Sequence, residues 1–158
     1  GNHARIDYGV TLGDDVVLGD GATVGHRAVV CGEVVLGKAA KIGDEATVGC
    51  GAEIGDRATV GCGAEIGDRA TLGDDVVLGC AATVGHCAKI GDEVVLGKAA
   101  KLGYWAAVGN GGKIGDAATV GCGAMLGDDV VLGDWATIGD GARIDPRTTI
   151  GATCCVTE

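Results

Sequence analysis

Phenylalanine is absent from this 158-residue chain, and proline occurs once, as Pro146. The aromatic side chains are only Tyr8, Tyr104, Trp105 and Trp135. Any core must therefore be built from small aliphatic residues rather than rings. A single proline excludes collagen, which needs glycine at every third place with abundant proline. Basic residues are scarce: 12 Lys and Arg face 22 Asp and Glu, for a formal net charge of −10. Such a balance repels a phosphate backbone and argues against a nucleic-acid partner. No apolar run approaches the roughly 20 residues of a membrane-spanning helix, and no signal-peptide pattern opens the chain. What abounds is glycine, at 32 residues, within a composition that is 47% hydrophobic. That is enough apolar surface to build a core and to exclude a disordered chain. The length suits one domain.

The order of the residues is stricter than their composition. Every position divisible by six, from Ile6 to Val156, holds Ile, Leu or Val. Two places earlier stands Ala or Val, with Gly112, Thr148 and Cys154 as exceptions, and one place later Gly, except at Asp7, Cys31, Asp145 and Thr157. Nothing is inserted or deleted, so the chain reads as one uninterrupted array. Residues 46–57 (ATVGCGAEIGDR) recur unchanged at 58–69, the mark of recent duplication or of a consensus-like, designed array.

Spacing turns into geometry. Small-X-aliphatic has the period of two of a strand, so Ala58 and Val60 point inward and Thr59 outward. Gly61 is expected to supply unusual turn dihedrals, and Cys62-Gly63 to round the corner. A strand and a turn every six residues cannot bury an apolar face alone, so the chain must coil and stack. A helix is excluded, because period six matches no 3.6-residue stripe and glycine recurs in every turn.

The unit [Ile/Leu/Val]-Gly-X-X-[Ala/Val]-X, as in IGDRAT (66–71) and LGDDVV (72–77), resembles the hexapeptide repeat of left-handed parallel β-helix proteins, the hexapeptide-transferase-like family. The resemblance covers essentially the whole chain. It implies an all-β fold, a single domain over residues 1–158, and a triangular prism of about nine coils of 18 residues. The left-handed crossover, an exception to the usual rule, comes from the family and not from the spacing. Most enzymes of this family are acyltransferases with a histidine general base at a trimer interface. The resemblance thus implies acyl-coenzyme A or an acyl carrier as the donor if the chain is an enzyme. It also implies a homo-oligomer, a trimer first, and the uncapped ends add the expectation of end-to-end stacking.

Residues 18 apart should stack at roughly 4.8 Å, which sorts the chemistry into columns. His86 falls between Asp68 and Tyr104, with Cys87 beside it, and this is the best acid–base constellation in the chain. TVGHRAVVCG (23–32) is similar to the zinc-site segment of gamma-class carbonic anhydrases, which makes His26 and Cys31 candidate metal ligands. A third ligand fails, since His3 lies 28 residues before Cys31 with no loop to absorb the offset. Asp56, Asp74 and Asp92 form a column that reads as a solvated acidic edge, with a hard cation as its functional counterpart. Cys62 and Cys80 stack at a spacing compatible with one disulfide. The other thiols lack a pairing pattern, which points to free cysteines in a reducing, cytoplasmic setting. Trp105, Ala107 and Met125 should form an apolar patch fit for a partner. With no loop insertion over the columns, the expectation is a non-enzymatic, self-associating scaffold. The alternative is an acyltransferase with its site at a subunit interface, and a zinc protein of the carbonic anhydrase kind stands third.

Overall fold

The computed structural model describes residues 1–157. It contains strands of two residues each, from Arg5–Ile6 to Cys155–Val156, and no helix among the described residues. The strands form three parallel sheets of nine, nine and eight. We call the sheets that begin with Arg5–Ile6, Thr11–Leu12 and Val17–Leu18 the first, second and third face. Each pairing joins residues one 18-residue coil apart: Thr59 with Val77, Glu65 with Thr83, Thr71 with Lys89. The all-β solenoid expected from the repeat is the fold observed. No helix of the described residues is long and apolar enough to cross a membrane.

The interior is a continuous apolar column. Ala58, Ala64 and Val76 are fully buried, as are Leu36, Leu78 and Leu96 to within 1%. Each buried Leu or Val stabilises the prism by about 1.5–3 kcal/mol relative to exposure. No polar or charged side chain is buried among the described residues. The strands are shorter than the three-residue pattern suggested. In each hexapeptide the inward Ala precedes the strand, because its N–H turns back onto the preceding glycine carbonyl, as Ala64 does to Gly61 at 3.3 Å. The Ala64 carbonyl still accepts the Thr47 N–H of the previous coil, at 2.9 Å.

Glycine after the aliphatic residue has a different reason from the expected one. Gly61 is not in the left-handed region. A Cβ there would lie 2.5 Å from the Gly79 carbonyl carbon and 2.6 Å from the Cys80 nitrogen of the next coil. The requirement is close approach of backbones, not turn dihedrals. Left-handed backbone falls two residues later, at every sixth residue from His3 to Thr153, and side chains of all kinds occupy it. Gly63 has φ 62°, Ala81 57°, Trp105 60° and Trp135 61°. Each residue there other than glycine costs about 1–2 kcal/mol. The strain is held by hydrogen bonds to the coil before, as from the Ala81 N–H to the Cys62 carbonyl at 2.9 Å.

These two glycine positions should respond differently to the same substitution. Gly63→Ala, with no atom within 4 Å of the new Cβ, is expected to cost about 1 kcal/mol. Gly61→Ala must push two coils apart and should cost well over 2 kcal/mol. Urea denaturation of both variants checks the order, and equal losses would contradict the close-approach account.

Candidate functional site

Sequence columns become the three corners of the prism, and each corner carries a ladder. The residue after the glycine of one coil uses its side chain to accept the backbone N–H of the residue 18 earlier. Along the third corner the Lys38 N–H donates to Asp56 Oδ1 at 2.7 Å, Asp56 to Asp74 at 2.7 Å, Asp74 to Asp92 at 2.9 Å and Asp92 to Asn110 at 2.9 Å. The acidic column read as a solvated edge is therefore an acceptor column that satisfies turn N–H groups the strands cannot reach. The sequence signal was present, as Asp or Asn one place past the glycine. Pro146 occupies this slot without a side-chain acceptor to offer the Asp128 N–H.

His86 occupies the same slot at the second corner. Its Nδ1 accepts the Asp68 N–H at 2.9 Å, the bond an aspartate makes elsewhere. The Asp68 carboxylate meanwhile accepts the Cys50 N–H at 2.8 Å. The other Asp68 oxygen, Oδ2, stands 3.4 Å from the same His86 Nδ1. Both groups of Asp68 thus compete for one nitrogen. The shorter bond prevails in the neutral ring, which carries its proton on Nε2. Tyr104 packs on the imidazole with ring centroids 5.2 Å apart at 59°. The structure brings His86, Asp68 and Tyr104 together as the column predicted, with a structural task already assigned to the histidine.

The proposed metal ligands are not brought together. His26 follows the first face and Cys31 the second, so one hexapeptide places them on different corners. The His26 ring stacks on Tyr8 at 5.6 Å and 18°, and the His26 backbone N–H donates to Asp44 Oδ1 at 2.8 Å. No group of three His, Cys, Asp or Glu residues suited to a metal ion occurs among the described residues. All eight cysteines are free, Cys62 and Cys80 included. Directly stacked residues hold their Cβ atoms parallel at roughly the 4.8 Å strand spacing, beyond the roughly 3.5–4.5 Å of a disulfide. Burial, then the neighbouring Cys50 thiol and the Asp68 carboxylate, push the Cys31 thiol above its ordinary range.

Two shallow grooves flank the second corner. One, of about 460 Å³, includes Cys31, Glu65, Asp68, His86 and Tyr104 along the second face. The other, of about 270 Å³, includes Cys50, Arg69, His86 and Cys87 on the far side. Beyond the corner, Trp105 is 69% exposed and leads to the paired Ala107 and Met125 of the third face, the apolar patch anticipated from the repeat.

This fold is that of hexapeptide-repeat, left-handed parallel β-helix proteins. The family model described as bacterial transferase hexapeptide (six repeats) matches residues 111–146. The UDP-N-acetylglucosamine acyltransferase of Bacteroides fragilis superposes with a TM-score of 0.90 at 18% identity, over 96% of this chain and 68% of that one. The UDP-N-acetylglucosamine acyltransferase of Arabidopsis gives a TM-score of 0.55 at 17% identity, over 97% and 67%. The chain therefore spans about two thirds of the length of each. No curated protein matches the sequence.

The ladder separates two roles of His86. Ala at position 86 removes the acceptor of the Asp68 N–H and should cost about 1 kcal/mol. Asn, the residue that fills this slot at position 110, should restore most of that loss. Thermal denaturation of the two variants measures it, and equal midpoints would deny His86 a place in the ladder.

Proposed function

We propose that the chain is the β-helix platform of an acyltransferase of the hexapeptide-repeat type, with its reacting groups at the second corner and its site closed by a neighbouring subunit. The observation that carries this reading is the groove that holds His86, Asp68 and Tyr104 side by side. The likeness of the fold to two acyltransferase structures supports it. The donor would be an acyl-coenzyme A or an acyl carrier, and the acceptor a hydroxyl or amine.

Chemistry at this corner requires the imidazole to change partners. When Nδ1 carries a proton toward Asp68 Oδ2, Nε2 is bare and faces solvent or substrate. It can then take the acceptor's proton as the nucleophile attacks the acyl carbonyl. Tyr104 limits the swing of the ring from one side. The open groove excludes no water by itself, so a second copy must cover it. Trp105, Ala107 and Met125 provide an apolar surface for that contact, and a trimer is the assembly that the family resemblance favours. A cytoplasmic location accords with eight unpaired thiols.

A second reading has its own observation. His86 Nδ1 is already spent on the Asp68 N–H, and the prism interior is filled, as a non-catalytic, self-associating scaffold would have it. Acyl-coenzyme A turnover and binding, measured on the parent, His86→Ala and His86→Asn, separate the two. On the enzyme reading both variants lose roughly 10²–10⁴ in rate, although Asn keeps the ladder. Absence of saturable binding to the parent, with acyl-coenzyme A at millimolar concentration and with an acyl carrier, would overturn the enzyme reading and leave the scaffold standing.

A further inference from the structure

Cys31 breaks the repeat where glycine is required for close approach. At that register the missing side chain points at the residue nineteen places on, one coil up and one residue along. A Cβ on Gly25, Gly37, Gly49 or Gly55 would lie 2.5–2.6 Å from the side-chain oxygen of Asp44, Asp56, Asp68 or Asp74. For Cys31 the residue nineteen on is Cys50. One strand spacing and one residue along the chain put their Cα atoms roughly 6 Å apart, within the range a disulfide accepts. The Cβ of Cys31 is aimed at its partner, as the parallel pair Cys62 and Cys80 is not.

We propose that Cys31 and Cys50 form an oxidation-sensitive pair that closes to a disulfide, stapling two coils beside the His86 corner. Cys50 is exposed and half-buried Cys31 lies next to it, so an oxidant meets Cys50 first. With a peroxide as oxidant, the Cys50 thiolate sulfur attacks one oxygen, the O–O bond breaks to leave a sulfenic acid, and the departing hydroxide takes up the proton the thiol had lost, as water. The Cys31 sulfur then attacks the sulfenic sulfur, and the S–O bond breaks. The displaced hydroxide takes up the Cys31 proton as a second water. In balance, two thiols and one hydrogen peroxide give one disulfide and two waters. Cys31 is held largely as thiol by its surroundings, so the closing step should quicken as pH rises. The staple would fix the coils whose side chains form both grooves at the second corner, the face of the prism where Cys31 and Cys50 open onto opposite sides.

Trypsin makes the pair directly readable, because Cys31 lies in peptide 28–38, Cys50 in 42–57, and Cys62 in 58–69. The folded chain is treated with hydrogen peroxide, its remaining thiols are alkylated, and the digest is mapped without reduction. The expected product is peptide 28–38 joined to 42–57, with two of the eight thiols lost. Cys62→Ser should leave that product unchanged. Cys31→Gly, which restores the glycine of the repeat and so keeps the fold, should abolish it. A dominant link between 58–69 and 70–89, oxidation of Cys50 that stops at sulfinic acid in the parent, or retention of all eight thiols would overturn the assignment.

Discussion

At most of the glycines that follow the inward aliphatic residue, successive coils approach so closely that a methyl group has no room between them. Most of the architecture depends on that contact. Glycine at this point lets the N–H and carbonyl groups of neighbouring coils meet at 2.7–2.9 Å, as from Gly61's counterparts Gly37 and Gly55 to Ile54 and Leu72. Dispersion and hydrogen bonding both fall off steeply with distance, so a wider spacing would weaken every rung at once. Close stacking also makes the interior narrow, which is why Ile, Leu, Val and Ala fill it and no ring is buried.

Tight corners leave backbone donors pointing outward, and their satisfaction organises the surface. Aspartate and asparagine in the slot after the glycine accept these N–H groups, coil upon coil. A net negative chain thereby becomes more than a solubility device, since its carboxylates bond to backbone dipoles rather than merely facing water. His86 is an informative substitution within this system. An imidazole can take the place of a carboxylate as acceptor, but unlike a carboxylate it can exchange the bond for a proton. The corner where this happens is also the one with flanking grooves, an aromatic neighbour and two thiols.

A solenoid of this kind has convex corners and flat faces, so a site must be borrowed from shape outside the single chain. On the proposed function the second corner supplies the reactive groups, and exclusion of water falls to whatever packs against it. Trp105 and Trp135 hold left-handed backbone with their rings largely in solvent, a strained placement with little intramolecular return. Trp105 borders the His86 corner, which ties the apolar patch of the third face to the groove of the second.

The repeat made the coil length, the three faces, the inward residues and the columns legible, because side-chain direction alternates along a strand and no insertion disturbed the register. Asp68, His86 and Tyr104 could be grouped by counting in eighteens for the same reason. Counting could not show that a corner side chain reaches back to a backbone N–H of the previous coil, so the acidic column read as a solvated edge and His86 as an acid–base candidate with no part in a ladder. It likewise missed Cys31 and Cys50, since a residue in the glycine slot points diagonally, nineteen places on, and column arithmetic sees only partners at eighteen. The similarity of residues 23–32 to a zinc-site segment put His26 and Cys31 together, though six residues carry the chain a third of the way around the prism. Periodicity is a property of the chain and survives in the sequence. The direction of a side chain at a corner depends on left-handed backbone and on the coil beside it, and only the stacked structure decides it.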